Sequence, residues 1–125
     1  MIIMRESISN SKYKTTFLLQ PVEKIEKDML DVLECIFWRK PELSSPALQF
    51  LNEIKRKMGI EDSHWEKFCK NQKITRGQYD SIIKKLRGSG LIYKRDGVWK
   101  LCDDFEGFLG TILEITNRWK EKEGK

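Results

Sequence analysis

Along most of this chain the apolar residues recur every three or four positions, the interval that lines one face of an α-helix. The first stripe is Val22, Ile25, Met29, Leu33, Ile36 and Phe37. Pro21 suits a first helical position, Glu23 and Glu26 complement the dipole, and Pro41 stops the run, so a helix is expected over 21–40. The second stripe, Ala47, Phe50, Leu51, Ile54 and Met58, follows the start signal Ser45-Pro46 and closes at Gly59. Lys55, Arg56 and Lys57 complement the dipole of its last turn. Two capping boxes come next. Ser63-His64-Trp65-Glu66 opens a short helix through Cys69, and Thr75-Arg76-Gly77-Gln78 opens another running to Arg87, ahead of Gly88-Ser89-Gly90.

The period then changes. Leu91-Ile92-Tyr93-Lys94-Arg95 and Val98-Trp99-Lys100-Leu101 are β-prone runs joined by Asp96-Gly97, a preferred pair for a two-residue hairpin. The turn sets the register: Arg95 opposite Val98, Lys94 opposite Trp99, Tyr93 opposite Lys100, Ile92 opposite Leu101, with Ile92 and Leu101 facing the core. A last helical stripe, Phe105, Phe108, Leu109, Ile112, Ile115, Thr116 and Trp119, starts behind Asp103 or Asp104 and fades into a charged tail at Lys120. Residues 1–20 carry no stripe and read as an arm or an added strand. The pattern predicts a mainly α protein with a small β-hairpin, as one domain over 21–125.

Composition narrows the class. A chain of 125 residues with 39% hydrophobic residues can bury one core. Its longest apolar run, Cys35-Ile36-Phe37-Trp38, is far short of the roughly 20 residues that cross a bilayer, and no signal peptide is expected in the first 20 residues. Cys35, Cys69 and Cys102 are odd in number and widely spaced, which argues against a disulfide framework or a zinc site and for a reducing, cytoplasmic setting.

Charge adds a location. Of the net +5, His64 to Lys100 holds ten Lys or Arg against three acids, a net +7, while the rest of the chain is net negative. A positive field confined to one 37-residue window suits a polyanion partner.

The basic window coincides with a recognisable order of elements. A capped helix, a short turn, a basic capped helix and then Leu86-Arg87-Gly88-Ser89-Gly90-Leu91-Ile92-Tyr93-Lys94-Arg95-Asp96-Gly97-Val98-Trp99-Lys100-Leu101 resembles winged helix-turn-helix regulators of the MarR and PadR kind. The resemblance covers 45–101 and implies a winged-helix core flanked by extra N- and C-terminal helices at 21–40 and 104–122. It makes His64 to Lys70 the positioning helix, Thr75 to Arg87 the recognition helix and Lys94 to Val98 the wing. It implies sequence-selective binding of double-stranded DNA by a transcriptional regulator. The alternative is a winged-helix adaptor that holds proteins together in a larger complex.

Drawn as a wheel, the recognition helix turns Tyr79, Ile82, Ile83 and Leu86 to the core. Gly77, Ser81 and Lys84 then face outward, flanked by Asp80 and Lys85, with Ser81 near the middle. Base reading is expected from Arg76, Gln78 and Ser81, with Asp80 an acceptor from cytosine, and phosphate contacts from Lys70, Lys73, Lys84, Lys85, Lys94 and Arg95. Thr75 and Gly77 complete this DNA-binding set at the helix start. Catalysis has little to work with: the lone histidine, His64, sits in a capping box, and the paired acids lie at helix starts. No enzyme activity, cofactor, metal or small-molecule ligand is expected. Phe105, Ile112 and Trp119 repeat every seven residues, with Phe108, Leu109 and Ile115 beside them, as a seam for another helix would. The partner is either the helix from Val22 to Lys40 of the same chain or the same helix of a second chain; a homodimer is the expectation favoured, since modules of this size commonly pair to read two half-sites.

Overall fold

The computed structural model describes residues 28–123. Helix α1 spans Met29–Ile36 and is capped by Asp28, whose carboxylate accepts from the Asp31 N–H at 3.3 Å. The expected arm at 1–20 and the expected helix start at Pro21 lie outside the described residues. The helix ends four residues before the expected Lys40. Phe37 leaves helical geometry to enter the core, and the proline ring at 41 bars a helical Lys40 before it. A 3-10 turn over Pro41–Leu43 runs straight into α2, Ser44–Lys57, so the expected side-chain cap at Ser45 gives way to the Ser44 N–H bonding the Pro41 carbonyl.

The second helix also ends differently. Met58, not Gly59, takes the left-handed cap conformation at φ 62, and its side chain is 81% exposed rather than part of the stripe. Gly59 serves another purpose, because a Cβ there would stand 2.9 Å from Val98 Cγ1. The room it leaves lets strand β1, Ile60–Glu61, add to a sheet. A two-residue strand leaves no alternating signature, and sequence reasoning missed it.

Helix α3 spans Trp65–Gln72 behind a 3-10 turn over Asp62–His64. The expected Ser63–Glu66 capping box does not form: Ser63 lies inside that turn, and the N-cap position falls to His64, which makes no side-chain cap bond. Lys73 at φ 56 ends the helix three residues later than expected, and the Ile74 N–H returns to the Cys69 carbonyl at 3.0 Å. The second box forms in full: Thr75 Oγ1 accepts from the Gln78 N–H at 3.0 Å, and Gln78 Oε1 accepts from the Thr75 N–H at 2.9 Å. It opens α4, Arg76–Ser89, two residues longer than expected and closed by Gly90 at φ 88.

Strands β2, Ile92–Arg95, and β3, Val98–Leu101, pair in the expected register, with Asp96 and Gly97 both at positive φ in their turn. The sheet is antiparallel in the order β1-β3-β2. Ile92 is fully buried, but its partner Leu101 is 44% exposed, and Trp99, two residues earlier on the same face, enters the core instead. Helix α5, Asp104–Glu123, anchors through Phe105 and Leu109 at its start. The molecule is thus mainly α with a small antiparallel sheet.

The centre of the core is aromatic. Phe50 of α2 meets Phe68 of α3 edge-on at 5.3 Å, and both meet Tyr79 of α4 at 6.0 Å. Such pairs add about 0.5–1.5 kcal/mol each beyond the burial of their area. Gly90 joins this core to α5: its carbonyl accepts from the Phe105 N–H at 3.1 Å, and a Cβ there would lie 3.0 Å from Asp104 Cβ. Gly90→Ala is expected to destabilise the fold by more than about 1 kcal/mol, whereas Gly110→Ala, in open space on α5, should stabilise it by about 0.5–1 kcal/mol. Urea unfolding of the two variants checks this, and a neutral Gly90→Ala would contradict the packing described.

Candidate nucleic-acid interface

The surface built around α4 starts from its N-terminus. The capping box fixes the first turn, and the aromatic centre fixes the helix axis through Tyr79. With Tyr79, Ile82, Ile83 and Leu86 buried as expected, Gly77, Asp80 and Lys84 form the exposed strip. Ser81, expected at the middle of that strip, is half-buried on one flank beside Lys85. The helix sits rotated relative to the simple wheel: Ser89, near its end, is buried with the stripe, which turns the outward face from Ser81 toward Asp80.

Four expected contact residues, Arg76, Asp80, Lys94 and Gln78, have partners within the chain. Arg76 stacks over the Trp65 ring at 3.9 Å and binds Asp80 at 3.2 Å, so its guanidinium is pinned at the start of α4. Lys94, on the core face of the hairpin, donates to Asp62 at 2.9 Å and lies 5.1 Å from the Trp99 ring. That bond holds the Asp62 carboxyl below the usual carboxylate range, with partial burial opposing it. Lys94 thus ties β2 to the turn before α3. Gln78 likewise commits its carboxamide oxygen to the capping box.

Electrostatics divide the surface. Between the hairpin turn and the start of α4 lies an open cleft of about 470 Å³ edged by Glu61, Asp62 and Asp96. Of the hairpin's expected phosphate-facing cations, Arg95 remains exposed beside that acidic edge. On the α3 side, Lys70 lines a groove of about 680 Å³ with Lys57, His64 and Lys67, and Lys73 and Thr75 are exposed at the corner that follows. Lys85 is half-buried, and burial together with the charges of Arg39 and Lys84 pushes its ammonium pKa down. Arg39 lies outside the basic window, and nothing in the linear sequence marked it as a neighbour of α4.

The comparisons can now be set beside this geometry. Residues 26–122 match the profile of a family described as an archaeal family. The chain belongs to that archaeal family. No curated protein and no solved structure matches it. The family's span runs from the approach to α1 almost to the end of α5, so it takes in every residue of the surface described above.

The His64 side chain makes no cap bond; its Nε2 lies 3.4 Å from Glu53 of α2, which Lys57 also approaches at 3.9 Å. Burial pushes the Cys69 thiol pKa up, and its S–H points to the Thr75 carbonyl at 3.8 Å, bracing the turn before α4. Cys102, Asp103 and Asp104 bring ligand-type atoms within 4.8 Å of one another at the start of α5, where the acids also suit the helix dipole. Among the described residues no helix is long and apolar enough to cross a membrane.

The Asp62–Lys94 tie has a pH signature. A carboxyl whose pKa is lower folded than unfolded stabilises the fold above the unfolded value, and that contribution disappears as pH falls through the folded one. The stability gap between the wild type and Asp62→Asn should therefore be present near pH 7 and close under acid, below the ordinary carboxylate range. A gap that persisted unchanged in strong acid would contradict the tie.

Proposed function

We propose that this protein is a winged-helix DNA-binding protein that seats α4 in the major groove of a duplex, reads sequence selectively and so acts as a transcriptional regulator. The observation that carries the reading is the exposed strip Gly77–Asp80–Lys84 on a rigidly capped helix, within the most basic window of the chain. A helix about 10–12 Å across fits a groove about 12 Å wide, and small or polar residues on the inserted face allow close approach to base edges. Asp80, exposed beside Lys84, supplies an acceptor for a cytosine amino group, while Lys70, Lys73, Lys84 and Arg95 supply phosphate contacts.

A second reading rests on α5. Phe105 and Leu109 are taken up by the chain's own core, but Ile112, Ile115 and Trp119 are 44%, 51% and 59% exposed, and Phe108 is also exposed, so the outer part of the expected seam is available to another helix. We assign it to a second copy of the chain, which places two α4 helices on one duplex, as dimeric readers of paired half-sites require. A winged-helix adaptor would use the same seam for a different protein and would leave α4 without a nucleic acid.

Two measurements test these assignments. The DNA reading predicts duplex binding that weakens by about 0.9 log units per log unit of salt for each phosphate neutralised. Gly77→Glu places an acid in the first turn of α4, where the dipole favours it, so the variant should melt no lower than the wild type yet lose duplex binding. Binding retained by that folded variant would remove α4 from the groove and favour the adaptor. The dimer assignment predicts a wild-type dimer in sedimentation and a monomer for Ile112→Glu; a wild-type monomer at high concentration would refute it.

A further inference from the structure

We propose that α5 pairs antiparallel with α5 of a second copy, in the register that lays the partner's basic last turn along the acidic first turn and the apolar groove beside it. This inference rests on the assignment of the α5 face to a second copy and adds which way round the two copies meet.

The chain itself covers little of α5. Phe105 is buried and Leu109 packs on the core, but every residue from Ile112 to Lys122 is exposed. Around a helix of 3.6 residues per turn, Phe108, Ile112, Ile115 and Trp119 fall within about 60° of one another. Leu113, 61% exposed, stands off this strip, on the same flank as Glu106 and Lys120. Asp104 and Lys122 share the other flank.

Charge selects the orientation. The first turn carries Asp104 and Glu106, and the last carries Lys120 and Lys122. Glu121 faces the outer side, about 180° from Ile112. A parallel pair would set acid beside acid and base beside base, whereas an antiparallel pair sets each acidic start beside a basic end.

The register follows from the same residues. In an antiparallel pair the like flanks of the two helices meet, so residues equally far before and after the two-fold axis stand opposite. Glu106 with the partner's Lys120, and Asp104 with the partner's Lys122, both place that axis at Leu113. The apolar strip agrees to half a residue, since it sets Ile112 against the partner's Ile115 and Phe108 against the partner's Trp119. Leu113 then meets the partner's Leu113 across the axis, which gives an exposed leucine off the strip a place to be buried.

The groove lies at the foot of α5. It measures about 710 Å³, is walled by Val32, Leu51, Leu101 and Phe105, and is edged by Asp103 and Glu106. The partner's Lys120 reaches Glu106 at this rim, with its aliphatic stem covering part of the apolar wall.

The test is sedimentation of the full chain as wild type, Glu106→Lys, Lys120→Glu and the double variant, with cross-linking of Leu113→Cys and Asn117→Cys by a short bismaleimide. Residues 106 and 120 are about 21 Å apart along one helix, so they pair only between copies. All four positions are exposed, and the variants should stay folded. Each single reversal should weaken the dimer about tenfold, because two ion pairs become like-charge contacts, and the double variant should return to within about threefold of the wild type. Leu113→Cys should cross-link, whereas Asn117→Cys, whose copies stand about 12 Å apart along the axis, should stay at the wild-type background. Single reversals without effect, a double variant no tighter than either single, or equal cross-linking at 113 and 117 would overturn the antiparallel register while a wild-type dimer keeps the second-copy assignment. A wild-type monomer at high concentration would remove both.

Discussion

The edge-on contact of Phe50, Phe68 and Tyr79 is the constraint on which the rest of the molecule depends. Each ring comes from a different helix, so the three axes are fixed relative to one another by side chains that cannot shift independently. Tyr79 lies one turn into α4, next to the capping box, and therefore sets which residues of that helix face out. Moving Tyr79 by one position would turn Asp80 or Gln78 inward and dissolve the Gly77–Asp80–Lys84 strip. The same packing raises the Tyr79 phenol pKa through burial, leaving its ring neutral over any ordinary pH. The shape of the candidate interface is thus a consequence of core packing.

Electrostatics work on top of that frame in two ways. On the hairpin side the chain pairs its cations internally: Lys94 with Asp62, Arg76 with Asp80. These pairs are exposed and contribute little to stability individually, but they orient the strand and the helix start that carry them. On the opposite flank Lys85 is half-buried, and burial together with the neighbouring charges of Arg39 and Lys84 pushes its ammonium pKa down. An uneven field of this kind steers a duplex to one orientation before close contact is made.

Much of this was legible in the sequence because it depends on local rules. The Thr75–Gln78 capping box, the Asp96-Gly97 turn and the hairpin register follow from residues a few positions apart, and the buried face of α4 follows from its stripe. The failures share a cause: a nonlocal contact outranked the local signal. Ser63 lost its cap to a 3-10 turn, Met58 took the left-handed conformation because Gly59 was needed against Val98, and Leu101 was displaced from the core by the larger Trp99 on the same face. The pairing of Lys94 with Asp62 spans 32 positions, and the approach of Arg39 to Lys85 spans more. Neither leaves a mark in any window of the chain, so neither could be read from the sequence.

Backbone amide chemical shifts, followed while a duplex is titrated into the labelled protein at low salt, test the central claim most directly, because they report where the nucleic acid touches without altering the chain. The account predicts that the perturbed amides concentrate on the first turns of α4, the corner at Lys73 to Thr75 and the hairpin tip at Arg95, with the exposed face of α5 unmoved. Shifts confined to α5, or no shifts with any duplex, would contradict it.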